Sequence, residues 1–231
     1  MGTTVPMMNH GPNHGHKVAI DLETIADREL LKILPPVEAK TGNIKDPEKI
    51  KAKQQEAEEN RVANMGVNKY ENMICVFSWC NGVESGGLVL EEESAAGEKE
   101  LLAGAWEIMS RYNHFITFNG NEFDIPILNL HSMFRGVRPA VNISTNKYRI
   151  TNHTDLRSVF SGGDKFEPGN LDYYLRRCLN RSKPKDISGA MVQDWWDIGA
   201  KEEILAYGIG DAVDTFALYQ YAREFFPGID S

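Results

Sequence analysis

The chain has 231 residues, 42% of them hydrophobic, and a formal net charge of −8. That length suits one large domain or a domain with an insertion, and the apolar fraction excludes a wholly disordered chain. The acidic balance excludes a protein held to nucleic acid by bulk charge, but not an enzyme that grips a few phosphates through local basic side chains and metal ions. Cys75, Cys80 and Cys178 lack the paired spacing of a zinc site and read as free thiols in a reducing cytosol. No apolar run approaches the length of a membrane span, and no basic-then-apolar leader opens the chain. The expectation is a soluble, cytoplasmic protein with no membrane partner.

Residues 1–16, rich in Gly, Pro, Asn and His, read as a flexible tail. His10, His14 and His16 are read as part of that tail rather than as metal ligands. The domain proper is expected over 17–227. Its first strand is expected at 17–23, where Val18, Ile20 and Leu22 alternate with Ala19, Asp21 and Glu23. Residues 24–71 read as a helical insertion or arm. Its first part, Ala26 to Leu34, suggests a short helix stopped by Pro35 and Pro36. Asp46 and Pro47 then read as an N-cap and first helical residue, opening a helix to about Asn64 that has few apolar residues and is solvated on most sides. Lys45, Lys49, Lys51 and Lys53 give its N-terminal end a charged face.

A strand is expected at 73–79, a turn at Asn81-Gly82 and a returning strand at 87–90, with Glu91 to Glu93 as a solvated exit. Ala95 to Tyr112 carries a helical stripe of Leu101, Leu102, Ala105, Trp106 and Met109, and the next strand is read at 114–118. Loop chemistry follows at Asn119-Gly120-Asn121, with a helix from about Asp124 and Pro126 in its first turn. Residues 135–152 read as polar and irregular. His153 to Leu156 reads as a last short strand, and Asn170 as the cap of a helix through about Leu179. Arg176, Arg177, Arg181, Lys183 and Lys185 form a basic cluster, the clearest phosphate-contact candidate; Lys147 and Arg149 are weaker ones. Trp195 and Trp196 read as docking the final helix, expected at 200–225, onto the core. In that helix Tyr207 and Asp211 are one turn apart on one face. Gly208 and Gly210 suggest close approach of another backbone or a ligand. The order is α/β with a mixed sheet.

The acids can now be collected. Asp21 and Glu23 share one face of the first strand, Asp124 stands at a strand–helix junction, and Asp211 follows Tyr207 by four residues. In this order, Asp-x-Glu, then Asn119 through Phe123-Asp124, then Tyr-x3-Asp, the chain resembles the DEDD exonuclease superfamily. Tyr207, with Ala206 where the histidine branch has its histidine, places the resemblance in the DEDDy branch. The second motif resembles the proofreading domain of family B DNA polymerases. The region from Thr154 through Tyr219 resembles stand-alone, often phage-encoded, relatives of those domains. The long 24–71 segment is the main departure.

The resemblance implies a ribonuclease H-like fold with a mixed five-stranded sheet flanked by helices. It implies metal-dependent 3′→5′ hydrolysis of single-stranded DNA to nucleoside 5′-monophosphates by two divalent ions, Mg²⁺ or Mn²⁺. In that scheme Asp21 bridges both ions, Glu23 and Asp211 hold the ion carrying the attacking water, and Asp124 holds the second. Tyr207 orients the water, the backbone near Thr24 touches the terminal 3′-hydroxyl, and Asn119 and Phe123 help seat the last nucleotides. Arg176, Arg177 and Lys183 are the candidate phosphate contacts. Two readings stand beside this one: the same chemistry on RNA, and a non-catalytic nucleic-acid-binding module that serves replication proteins. Elementary physics agrees with a cation site. Unit charges 4 Å apart repel by about 4 kcal/mol at an effective dielectric of 20, and oxygen-only donors favour Mg²⁺ or Mn²⁺ over zinc.

Overall fold

The computed structural model describes residues 17–145, 151–162, 169–183 and 189–229. His10, His14, His16, Lys147, Arg149 and Lys185 lie outside them. Five strands, β1 (Lys17–Ala26), β2 (Asn72–Cys80), β3 (Ser85–Val89), β4 (His114–Thr117) and β5 (His153–Asp155), form one sheet in the order β3-β2-β1-β4-β5. The β1–β2 and β2–β3 pairs are antiparallel, and the β1–β4 and β4–β5 pairs are parallel. The α-helices among the described residues are α1 (Pro47–Asn64), α2 (Ala95–Met109), α3 (Asp124–Arg135), α4 (Leu156–Phe160), α5 (Leu171–Tyr174), α6 (Val192–Asp197) and α7 (Lys201–Ala222). This is the α/β, mixed five-stranded, ribonuclease H-like arrangement expected from the sequence.

Strand β1 sits centrally and sends its alternating residues to two cores. Val18, Ile20 and Leu22 join the apolar stripe of α2 and Ile125, Ile127 and Leu128 of α3 in one cluster. Ala19 faces the other cluster, with Leu171, Leu175, Ala212, Phe216 and Tyr219. Asp21 and Glu23 share the parity of Ala19 and so turn toward α7. Trp196 is buried and Trp195 packs against the same cluster, as their docking role requires. Cys75 and Cys80 are buried free thiols, and burial pushes Cys80 up to about 11, so neither is reactive at neutral pH.

Several boundaries differ from the sequence reading. Strand β1 does not stop at Glu23. After a bulge between Glu23 and Thr24, the β-branched Thr24 and Ile25 go on pairing with Ile74 and Met73. The expected helix from Ala26 shrinks to one 3₁₀ turn, Arg28–Lys32, because the sheet recruits its first residue and none of the turn's side chains is buried. Helix α1 matches expectation: Asp46 Oδ1 accepts from Glu48 N–H, and no residue of the helix is buried. The returning strand begins at Ser85 rather than Gly87, α2 ends at Met109, and α7 ends at Ala222. Leu156 opens α4 instead of closing β5, because the Asp155 carboxylate caps the N–H groups of Arg157 and Ser158. Asn170 caps α5 as read, but the helix tightens into four residues and then widens into a π turn over Leu175–Leu179.

A buried ionic network joins α2, α3 and the end of β1. Glu98 is fully buried; it accepts from Ile74 N–H at 2.7 Å, lies 2.7 Å from His131 Nδ1, and accepts from Arg135 Nε at 2.5 Å. Burial raises the Glu98 carboxyl, but the His131, Ile74 and Arg135 contacts outweigh it and hold the group below its ordinary value. Arg135 also donates to Asp27 Oδ2 at 2.8 Å, which ties the root of the insertion to the domain.

Candidate active site

Beyond Ala19, β1 runs on without a β4 partner, since that pairing covers only Lys17 to Ala19. The backbone N–H of Leu22 is therefore free for a side chain, and Asp124 Oδ1 accepts it at 3.0 Å. Asp124 reaches there because Asn119 turns the chain sharply after β4, with φ +75°, and α3 starts at Asp124. The turn is held by Asp155, which accepts from Asn119 N–H at 2.8 Å and Asn121 N–H at 3.1 Å.

From the other side α7 brings Tyr207 and Asp211. Gly208 lets it approach the sheet: a Cβ there would lie 3.1 Å from Val76 Cγ1 and 3.3 Å from Ser78 Oγ. Ser78 Oγ in turn donates to the Gly208 carbonyl at 2.8 Å. Gly210 does not share this role, since a Cβ there meets nothing within 4 Å.

The result is a cleft of about 490 Å³ lined by Asp21, Glu23, Thr24, Asn119, Phe123, Asp124, Lys183, Tyr207 and Asp211. One carboxylate oxygen each from Asp21, Glu23 and Asp211 lie within 4.8 Å of one another. Asp124 stands beside this triplet rather than in it, its Oδ1 engaged by Leu22. Arg157, Val67, Asn170 and Leu171 also line the cleft and were not singled out as site residues from the sequence. Arg157 donates to Asn119 Oδ1 at 2.8 Å, so it aims the Asn119 amide. Its one available signal was its place two residues after a strand-end aspartate.

The basic cluster divides. Lys183 enters the cleft, where its ammonium donates to Tyr207 Oη at 2.8 Å and to Asp211 Oδ2 at 2.5 Å. Arg176 and Arg177 do not reach the cleft; both are exposed, and Arg176 pairs with Asp172 at 2.6 Å one turn back. The π turn that carries them rotates their side chains to solvent. Arg181 lies 3.7 Å from Asp214, the acid that the Tyr-x3-Asp spacing passes over.

Electrostatically the site is unsatisfied. Burial, then repulsion from Asp211, Glu23 and Asp124, hold Asp21 well above the usual carboxylate range. Burial and Asp211 push Glu23 up to about 8, against the lowering effect of Lys183. Burial raises Asp124 to about 7 although the Leu22 N–H stabilises its anion. Burial also raises Asp211 despite Lys183. Asp21 Oδ2 is buried without a hydrogen-bond partner. Four converging carboxyl groups with hard oxygen donors, one of them orphaned, fit a divalent cation of the Mg²⁺ or Mn²⁺ type. Tyr207 is raised by burial and by Asp211, so its hydroxyl stays protonated at neutral pH.

Residues 72–229 match the family model described as a predicted 3′-5′ exonuclease related to the exonuclease domain of PolB. The match begins at β2, so Asp124, Lys183, Tyr207 and Asp211 fall inside it while Asp21 and Glu23 precede it. Among solved structures, the family B DNA polymerase from the hyperthermophilic archaeon Pyrobaculum calidifontis is similar in fold, with a TM-score of 0.58 at 14% identity. The alignment covers 93% of this chain and 25% of that polymerase, so the chain spans about a quarter of the relative's length. No curated protein matches the chain. Among the described residues no helix is long and apolar enough to cross a membrane.

Proposed function

The chain belongs to the family of predicted 3′-5′ exonucleases related to the exonuclease domain of PolB, and from that premise we propose that it hydrolyses single-stranded DNA from the 3′ end, releasing nucleoside 5′-monophosphates. The observation that carries the reading is the meeting of Asp21, Glu23 and Asp211 within 4.8 Å, with Tyr207 one turn from Asp211 and Asp124 alongside. Asp21, Glu23 and Asp211 would hold one divalent ion, and Asp21 with Asp124 a second. Such ions supply a nucleophilic water at neutral pH and stabilise the leaving 3′ oxygen.

The protein's own groups then have definite tasks. The Tyr207 hydroxyl is held protonated, so it orients the attacking water by hydrogen bonding and does not act as a strong base. Lys183 fixes that hydroxyl from one side, so its ammonium sets the direction of the Tyr207 lone pairs. Asn119, aimed by Arg157, and Phe123 line the cleft where the terminal nucleotide would sit, and Thr24 stands at the bulge beside Glu23. Thr24 Oγ1 donates to the Gly66 carbonyl at 2.6 Å, which joins the cleft wall to the end of the 24–71 segment. A cleft of about 490 Å³ is in the range of small-ligand sites and suits a strand end rather than a duplex.

The test is degradation of 5′-labelled single-stranded DNA or RNA with Mg²⁺, Mn²⁺ or EDTA. A metal-dependent ladder shortening from the 3′ end, absent in Asp21→Ala, is expected on DNA. A ladder on RNA alone would move the substrate to RNA. No degradation of either polymer with either metal would leave only a binding module. Millimolar Mn²⁺ should also raise the melting temperature of the native chain and not that of Asp21→Ala.

A further inference from the structure

Strand β3 is the edge of the sheet, and its sequence Ser-Gly-Gly-Leu-Val carries no charge and no proline, the devices that usually blunt an edge. Leu90 N–H donates to the Cys75 carbonyl at 2.7 Å. With Val76 opposite Val89 and Phe77 opposite Leu88, the alternation of antiparallel pairs turns the N–H and C=O groups of Leu88 and Gly86 toward β2. Those of Ser85, Gly87 and Val89 point away from the sheet. Among the described residues no hydrogen bond occupies them. The edge is recessed rather than capped. It forms the floor of a groove of about 1190 Å³, with α2 as one wall and α7 as the other. Leu205, Ile209 and Val213, one turn apart along α7, give that wall an apolar face; Gly97, Glu100, Leu101 and Gly104 of α2 line the opposite wall, where Gly104 lets Leu88 of β3 pack close.

We propose that this groove takes an extended peptide segment of a partner protein as a sixth strand, with alternate small apolar side chains against α2 and α7 and basic residues at its ends. The length fits: five residues of β3 present an edge of roughly 17 Å, enough for a segment of five or six residues. The charge requirement comes from the rim. Glu91, Glu100 and Glu202 line the groove and are exposed, and no hydrogen bond or ion pair engages their carboxylates among the described residues. The cation in the lining, Lys201, is already committed: its ammonium donates to the Leu90 and Glu91 carbonyls at 2.9 and 2.7 Å and lies over the Trp196 ring. A second copy of this chain is a poor occupant, because an edge-to-edge pair would bring the same glutamates together on molecules that each carry a net charge of −8. The groove is separate from the cleft. Tyr207 and Asp211 lie on the opposite side of α7 from Leu205 and Ile209, two residues or about 200° away.

Fluorescence anisotropy on the full chain tests this. The probes are three labelled peptides: alternating valine and threonine flanked by lysine pairs, the same core flanked by glutamate pairs, and the lysine peptide N-methylated at alternate residues. The lysine peptide should bind, at least roughly tenfold tighter at low salt than the glutamate peptide, and the N-methylated one should not bind. Gly210→Phe should abolish binding by filling the groove, since a side chain there starts in open space; its melting curve verifies the fold. Glu100→Lys with Glu202→Lys, both exposed, should reverse the preference between the two charged peptides. Equal binding of the N-methylated peptide, no binding of any probe at millimolar concentration, or no effect of the charge reversal would each overturn the proposal. So would a dimer in light scattering that Gly210→Phe dissociates.

Discussion

Replacing Glu23 by Gln should stabilise the metal-free protein, and by an amount that grows with pH. Folding raises the Glu23 carboxyl from its ordinary 4.5 to about 8, through burial first and Asp211 second. A carboxyl raised on folding keeps its proton in the native state while the unfolded chain has lost it. The unfolded state therefore binds fewer protons between the two values, and stability falls as pH rises through that window. At roughly 1.4 kcal/mol per pH unit, the native chain in EDTA should lose about 3.5 kcal/mol between pH 5 and pH 8 through this one group. Direct repulsion gives the same order: two charges at 4.8 Å in an effective dielectric of 20 interact by about 3.5 kcal/mol. The assay is urea denaturation of native and Glu23→Gln protein in EDTA across that range. Taking the difference cancels the opposite contribution of His153, which burial holds below its ordinary value. A difference that stays within about 1 kcal/mol from pH 5 to 8, or that shrinks with pH, would refute the electrostatic account of the site.

Tyr207→Phe should lower kcat by about 10²-fold while leaving the Mn²⁺-induced rise in melting temperature intact, because in the proposed mechanism the hydroxyl orients water and holds no ion; single-turnover kinetics and calorimetry read the two effects. Gly208→Val should cost roughly 1–3 kcal/mol in urea denaturation, since a Cβ there already crowds Val76 and Ser78. It should cost activity out of proportion, because it lifts Tyr207 and Asp211 off the sheet. Arg135→Ala should destabilise by about 3–5 kcal/mol, because it leaves buried Glu98 and Asp27 without their shared cation; a loss within 1 kcal/mol would mean that His131 alone satisfies Glu98.

The central acids were legible because their logic is local. Asp21 and Glu23 stand out against a period of two, and Tyr207 and Asp211 against a helical turn. What depends on pairing across the chain was not legible. That β1 would run on through Ala26 follows from its bulged pairing with Ile74 and Met73, which the β-branched side chains of Thr24 and Ile25 favour but do not fix. The basic cluster was visible as composition, but only Lys183 enters the cleft. Arg176 and Arg177 precede it by a few residues and are turned outward by a π turn that single-sequence periodicity cannot distinguish from an α-helix. Glu98 was not singled out from the sequence, although it continues the α2 stripe one turn before Leu101 and Leu102. Its burial depends on His131 and Arg135, which reach it from α3. Arg157 had a cap aspartate before it as its one signal, and its bond to Asn119 exists only because β4 and β5 lie side by side.

The placement of the acids on β1 and α7, rather than on loops, follows from their repulsion. Carboxylates that repel by a few kcal/mol would drift apart on a flexible segment and lose the geometry a divalent ion needs. On β1 they cannot. Val18, Ile20, Leu22 and Ile25 are at most 3% exposed, and burying four such side chains contributes up to roughly 6–12 kcal/mol, more than any single pair can oppose. The same residue alternation that seats this apolar face in the α2–α3 core turns Asp21 and Glu23 toward α7. The close seat of α7 is set by Gly208, and Lys183 offsets part of the remaining charge through Asp211. A cation entering the cleft therefore meets a site whose strain is already held by the core. Its binding free energy would go into relieving repulsion rather than ordering the chain, so the proposed metal binding should be read as thermal stability as well as turnover.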